Sequence, residues 1–561
     1  MNTKLAAALL STIALAACTS VPDQSSAPVT VQILAINDFH GNLETPQSET
    51  WFMQDGVERR VRLGGAAQLA ATLAALRSGN SVTVAAGDLI GASPLISSLF
   101  LDEPTIKALS TMGLDIASVG NHEFDRGTDE LRRMQDGGCD VFTLRAPCAV
   151  EPFVGAEFAY LAANVVDSAG ETFLPATEIR EIGGARIGFI GMTLEGTANL
   201  VSAQATEGLR FLDEAETANR HAAELRAQGV DTVVVLVHEG ADVDPYYNLT
   251  GCPGLSGPIV AIAEALNPEI SLVVSGHTHQ AYVCTVPTTA GSEVLLTSGG
   301  RFGGFVTDIA LTIDPATDTV VSVTGRNVPV DGNAGSDPAL AALVATYAEA
   351  SGPVASRAVG PIAPANGEQG EDCGDRPAQG FVADAYLHAA NSAPGVGADL
   401  ALVNSGGVRT NLDGANDGVL TFGELSAMAP FGNGTIVLEM TGAEFRNVLE
   451  QQFCEENGTT TICDSVLIPS AGSHYTADPS KPALQRITSV TINGQPLDPD
   501  HIYRVVTNSF LVGGGDGFAQ FAAVPQVANV GFDIDALEAY VATGTVSVPV
   551  CGRVRNLAAA D

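Results

Sequence analysis

The chain has 561 residues, with 26 Lys and Arg against 64 Asp and Glu, a net charge of −38. So acidic a chain lacks the basic surface by which polymeric nucleic acid is held, and it is repelled by anionic lipid. At roughly 100–200 residues per domain, the length allows two large domains or three or four small ones.

Residues 1–17 hold one charge, Lys4, followed by an apolar run at 5–17. That is a signal-peptide pattern, too short to span a bilayer. It ends Leu15-Ala16-Ala17-Cys18, which resembles the bacterial lipobox; an ordinary secretory signal beside a chance Cys is the alternative. Residues 18–28 are polar and rich in Pro and Ser, as a tether is. The expectation is an exported chain, a periplasmic or cell-envelope lipoprotein anchored through Cys18. Eight further cysteines suit disulfides in an exported protein. Cys139/Cys148 and Cys454/Cys463 are the close pairs, with Cys252/Cys284 and Cys373/Cys551 as the remainder.

Five apolar runs follow, at 31–36, 82–86, 116–119, 233–237 and 271–274. Continuous apolar runs read as strands buried on both faces. Each ends in a polar cluster: Asn37-Asp38-Phe39-His40, Gly87-Asp88, the run GNHEFD at 120–125, His238-Glu239-Gly240, and Gly276-His277-Thr278-His279. Helical patterns at 66–77 and 213–228 lie between them. This is α/β layering with its chemistry at the carboxyl ends of strands. After a break near 329–336, Asp337-Pro338 opens a helix to about residue 350, with Asp337 as N-cap. A second α/β domain runs from about 354 to the end, with landmarks at 404–409, 430–433 and 508–518.

The strand-end clusters hold Asp38, His40, Asp88, Asn121, His238, His277 and His279. Imidazole, carboxylate and one amide make a ligand set for Zn²⁺, Mn²⁺, Fe or Co²⁺. Seven ligands exceed the need of one tetrahedral ion, whereas one bridging carboxylate lets them serve two. Two ions about 3.5–4 Å apart can clamp the attacking and leaving oxygens of phosphoryl transfer.

These clusters, in this order, resemble the calcineurin-like metallophosphoesterase signature. Asn37-Asp38-x-His40-Gly41 and GNHEFD look more narrowly like the 5′-nucleotidase family, whose C-terminal domain is resembled at 404–409, 430–433 and 513–518. The resemblance covers residues 30–555. It implies an N-terminal four-layer α/β sandwich at 29–330, an interdomain helix at 331–353 and a C-terminal α/β substrate domain at 354–561. Asp38, His40 and His279 would then hold one metal ion, Asn121, His238 and His277 a second, with Asp88 bridging. His122 resembles the catalytic histidine, oriented by Asp125; three residues apart, the two can meet on one helical turn.

On the substrate side, Phe431 and Phe510 stand beside glycines. Taken alone they are either loop anchors in the core or stacking faces for a flat heterocycle. The resemblance points to the second, with Asp516 accepting from the ribose hydroxyls. Arg409, directly after Gly406-Gly407-Val408, has the planar fork that suits a phosphate, and Asn404 resembles the family's asparagine in the same site. Arg376 lies near the place of a further family arginine, although residues 373–381 depart from the family's pattern.

The function implied is an exported dinuclear phosphohydrolase that releases phosphate from nucleoside 5′-monophosphates. UDP-sugars, dinucleotides, cyclic nucleotides and sulfur compounds stay open as substrates. A metal-holding surface protein with a decayed site would lack ligands, and none is lacking.

Overall fold

The computed structural model describes residues 27–557 except 144, 202–203, 250, 364–376, 413–416, 457–458, 464 and 551. The expected signal segment, Cys18, the tether up to residue 26, Arg376 and the Cys373/Cys551 pair lie outside the described residues.

All five apolar runs form strands: Val29–Ile36, Ser81–Ala86, Ile116–Ser118, Thr232–His238 and Ile270–Ser275. The first three belong to a six-stranded sheet, ordered Thr319–Pro329, Phe305–Asp314, Val29–Ile36, Ser81–Ala86, Ile116–Ser118, Ala159–Leu161. The other two lie in a second six-stranded sheet, ordered Ala281–Pro287, Glu293–Gly299, Ile270–Ser275, Thr232–His238, Ala185–Thr193, Thr177–Ile182.

The runs are continuously apolar because each strand has two buried faces. Val31, Ile33, Ala35, Val82 and Val84 pack against Phe189, Val234, Leu236, Leu272 and Val274 of the opposite sheet. Their alternates, Leu34, Ile36, Ala85 and Ala117, meet helices Ala66–Leu76 and Glu103–Thr111. Val233, Val235, Val237 and Val273 meet helices Glu214–Ala227 and Pro258–Glu264. The layers are therefore helix, sheet, sheet, helix.

Direction matters as much as burial. Val29–Ile36, Ser81–Ala86 and Ile116–Ser118 pair in parallel, and so do Ala185–Thr193, Thr232–His238 and Ile270–Ser275. Parallel strands send their carboxyl ends out on one side, so the polar clusters that end them converge.

Helix Pro338–Ala355 starts as its sequence indicates, with the Asp337 carboxylate accepting from the N–H groups of Ala339 and Leu340 at 2.9 Å each. It runs past residue 350 with Pro353 inside its last turn, closed by Ser356 N–H donating to Gly352 O at 2.9 Å. Leu340 and Tyr347 bury into the N-terminal core.

Beyond it, a five-stranded sheet is ordered Leu467–Pro469, Leu400–Asn404, Ile502–Asn508, Gly434–Thr441, Gln526–Phe532. Helices Pro377–Ser392, Gly442–Glu450 and Asp533–Val541 contribute Phe381, Phe445 and Leu537 to the core beneath it. Leu400–Asn404 is parallel to Ile502–Asn508, and Gly434–Thr441 is antiparallel to it with Thr435 opposite Asn508. The loops holding the three landmarks thus leave one end of this sheet together. Disulfides join Cys139–Cys148, Cys252–Cys284 and Cys454–Cys463. Among the described residues no helix is long and apolar enough to cross a membrane.

Candidate active site

Six of the seven residues expected as metal ligands meet at the converged strand ends, and Asn121 lines the same cavity as His277. Asp38, His40 and His279 have ligand atoms within 4.8 Å of one another, and so do Asp88, His238 and His277. His40 Nε2 lies 3.6 Å and His238 Nε2 2.9 Å from Asp88 Oδ2, so Asp88 sits between the two groups.

The backbone here is not relaxed. Asp38, His40, Asp88, His277 and His279 all have positive φ, between 46° and 71°. A non-glycine residue in that region is uncommon, and five at one place mean that surrounding contacts dictate the loops. Asn37 is one such contact: its amide donates to Asp38 Oδ2 at 2.6 Å and to Gly300 O at 2.7 Å. Gly120 is another, since a Cβ there would collide with the Asp88 carboxylate.

Second-layer hydrogen bonds set the histidine tautomers. His40 Nδ1 donates to Gly91 O at 2.9 Å, and His238 Nδ1 to Ala86 O at 2.8 Å. Each ring then turns its Nε2 toward the centre. Burial pushes His40 down to about 3 and His277 down to about 4, which keeps both neutral, as ligands must be. Burial works against the charge on Asp38 and Asp88, but the imidazoles around them hold both carboxyls below their ordinary range. Among the described residues, buried Asn121 Oδ1 has no hydrogen-bond partner. Burial disfavours the His238 imidazolium, but Asp88 and Asp38 push its pKa up to about 10, a proton that a bound cation would displace. Two buried anions, the neutral His40 and His277 rings and an orphaned amide oxygen fit divalent cations.

Glu123 carries no role on sequence grounds, yet it organises the loops. Its buried carboxylate accepts from the N–H groups of Asp88 at 2.9 Å, Leu89 at 2.8 Å and Gly120 at 2.5 Å, tying two polar clusters together. Burial, with Asp88 nearby, pushes it up to about 7. Its only signal in the sequence is its place inside GNHEFD.

His122 and Asp125 meet on a 3₁₀ turn, with His122 Nδ1 2.8 Å from Asp125 Oδ2. Burial disfavours the imidazolium, but Asp125 and Asp88 reverse this and raise the His122 pKa above its ordinary value.

The two halves of the chain meet here. Arg409 Nη2 donates to His122 Nε2 at 2.9 Å, the Phe431 ring stacks on His122 at 5.8 Å and 17°, and the Arg409 guanidinium lies 5.1 Å over Phe431. A cavity of about 220 Å³ opens between them; His122, Asn121 and His277 line one side and Phe431, Phe510 and Asp516 the other. Asn404 donates to Asp516 Oδ2 at 2.7 Å and accepts from Asn508 Nδ2 at 3.0 Å. Asn508, which also lines the cavity, was legible only as the start of a glycine-rich landmark. Leu200 and Val201 close the cavity from the N-terminal half and carry no sequence signal of it.

The calcineurin-like phosphoesterase family matches over residues 31–281, and the 5′-nucleotidase C-terminal domain over residues 354–523. A cell wall protein of Listeria monocytogenes is 33% identical over 581 residues, covering 96% of this chain and 69% of its own length. A 5′-nucleotidase of Vibrio vulnificus is 26% identical over 580 residues, covering 96% of this chain and 95% of its own. The crystal structure of a 5′-nucleotidase precursor from Thermus thermophilus superposes with a TM-score of 0.73 at 24% identity, over 94% of this chain and 99% of that one.

Proposed function

The chain belongs to the 5′-nucleotidase family of calcineurin-like metallophosphoesterases, metal-dependent phosphoester hydrolases, and on that premise we propose that it is an exported enzyme releasing phosphate from nucleoside 5′-monophosphates. One observation carries the reading: the cluster of cation-binding residues and a cavity with two aromatic faces and Asp516 share His122 and Arg409 as their common wall.

In this reading Asp38, His40, Asp88, Asn121, His238, His277 and His279 would hold two divalent ions, the first group around Asp38 and the second around His238. Such ions would supply Lewis acidity to the phosphoryl oxygens and acidify water. The side chains divide the remaining work. Phe431 and Phe510 stack on the base, and Asp516, with Asn404 fixing one of its oxygens, accepts from the ribose hydroxyls. Arg409 grips phosphoryl oxygens and neutralises charge that grows on them in the transition state. As a water oxygen bonds to phosphorus and the P–O5′ bond breaks, His122 gives its Nε2 proton to O5′, and Asp125 steadies the imidazolium. The paired cysteines support an oxidising compartment, and lipidation at Cys18 accords with it.

The test is phosphate release from AMP by the wild type, Asp88→Asn and His122→Ala, beside UDP-glucose, NAD and 2′,3′-cyclic AMP. The wild type turns over AMP and both variants fail. Full activity in both variants overturns the residue roles, and preference for another substrate overturns the monophosphate assignment. Elemental analysis names the metal, and intact-mass measurement of membrane-extracted protein tests the lipid on Cys18.

A further inference from the structure

A second cavity, of about 280 Å³, lies behind the first and is lined by His40, His279, Arg301, Phe302 and Arg409. Arg409 is the one residue lining both. The cluster of candidate metal ligands therefore borders two cavities, one on the side of His122 and one on the side of Arg301.

Arg301 is held for a purpose other than ion pairing. It follows strand Glu293–Gly299, in a loop fixed to the first polar cluster by Asn37 donating to Gly300 O at 2.7 Å and by Phe302 N–H donating to Asp38 O at 2.7 Å. Its guanidinium stacks 4.7 Å over the Phe302 ring, hydrogen-bonds Tyr247, and brings Nη1 to 3.4 Å from His279 Nδ1. Among the described residues neither Arg301 nor Arg409 forms a salt bridge with a carboxylate, in a chain carrying 64 of them. Two guanidiniums thus line one cavity whose lining includes no carboxylate.

The contact with His279 differs from those of His40 and His238, whose Nδ1 atoms face carbonyl acceptors. An imidazole that gives its Nε2 lone pair to a cation carries its hydrogen on Nδ1 and then has nothing to accept with. With a cation on His279, Arg301 Nη1 would lose that acceptor while still lining the cavity.

We propose that this rear cavity is an oxyanion subsite in which Arg301, with Arg409, receives inorganic phosphate after the nucleoside has separated on the other side. The inference rests on the phosphohydrolase reading. The nucleoside blocks the first cavity at the moment its bond to phosphorus breaks, so the second is the space free to phosphate. Planar guanidinium forks on two sides suit a tetrahedral oxyanion. The distal phosphoryl group of a nucleoside diphosphate presents the same oxyanion.

The experiment titrates inorganic phosphate calorimetrically into the metal-loaded wild type, Arg301→Gln and Arg301→Lys. It also measures phosphate inhibition of AMP hydrolysis and the kcat/KM ratio of ADP to AMP. Phosphate binding weakens about tenfold in Arg301→Gln and less in Arg301→Lys, because charge-assisted hydrogen bonds are lost or reduced. A weaker phosphate inhibition identifies the product as the occupant, and a fall in the ADP to AMP ratio identifies a distal phosphoryl group. The proposal is overturned if Arg301→Gln melts with the wild type and keeps its phosphate affinity, its inhibition and its ADP to AMP ratio within twofold. A chain that hydrolyses none of these nucleotides refutes the phosphohydrolase reading, while calorimetry still decides the subsite.

Discussion

Arg409 of the C-terminal half donates to Nε2 of His122 of the N-terminal half at 2.9 Å, while His122 Nδ1 is engaged by Asp125 at 2.8 Å. The neutral ring thereby uses both nitrogens, one as donor and one as acceptor. Once Nε2 carries a proton, it and Arg409 are two donors facing each other, and only an acceptor between them satisfies both. A phosphoryl oxygen is such an acceptor, so in the proposed reading substrate would convert this direct bond between the halves of the chain into one shared through phosphate.

In the proposed reading Arg409→Ala removes the grip on phosphate and keeps Phe431, Phe510 and Asp516, the groups that face the nucleoside. It lowers kcat/KM for AMP about 100-fold, the scale of a lost charge-assisted hydrogen bond. Inhibition by adenosine, which has no phosphate, changes less than threefold. Steady-state kinetics with both ligands checks this, and an equal loss of adenosine binding shows that Arg409 acts on the shape of the cavity instead.

The His122 proton carries a pH signature. Asp125 and Asp88 raise its pKa against the effect of burial. An acid that must be protonated loses activity as pH rises through its pKa. Asp125→Asn removes the first raising influence, so the alkaline limb of kcat/KM moves to lower pH, and His122→Ala costs on the order of 10²–10⁴ in kcat. Metal content by elemental analysis stays at the wild-type level in both. A limb that moves upward in Asp125→Asn contradicts the assignment.

Phe510 keeps its place because residue 515 has no side chain. A Cβ at Gly515 would lie 2.5 Å from the Phe510 ring. Gly515→Ala therefore displaces one aromatic wall of the cavity, raising KM for AMP about tenfold with kcat nearly unchanged, since base stacking is worth roughly 1–3 kcal/mol. Turnover of p-nitrophenyl phosphate, which has no base, is the control and is spared.

Asp533 anchors the other wall. Its buried carboxyl accepts from the N–H groups of Asn433 at 2.9 Å and Ile534 at 2.7 Å, and burial pushes its pKa up to about 7 from 3.8. Between those values the folded chain holds a proton that the unfolded chain has released, so this residue makes stability fall as pH rises from about 4 to 7. Asp533→Asn cannot titrate. Its melting temperature therefore declines less between pH 5 and pH 8 than that of the wild type, as calorimetric scans would show, and an equal decline refutes the shift.

Much of the fold was open to reading one residue at a time. The five runs had to be strands with two covered faces, because they are apolar without alternation, and the structure puts a sheet or helix layer on each face. Asp337-Pro338 carried its helix start in its own chemistry. Glu123 escaped because a buried carboxylate that collects backbone N–H groups looks, in a sequence, like any surface glutamate. Arg301 escaped for a related reason: its distinction is the lack of a carboxylate beside it, which no linear pattern displays.

The sequence by itself determined which side chains stand at the carboxyl ends of the buried strands, since hydrophobic periodicity and polar punctuation are local properties, and parallel pairing then brings those ends together. Only the tertiary structure decided that residue 409 reaches residue 122, that the cluster of candidate metal ligands borders two cavities, and that five of its residues sit at positive φ. Those facts depend on how two separate cores pack against each other and on contacts between loops far apart in the chain. Packing of that kind selects among loop conformations that the local sequence leaves nearly equal in energy.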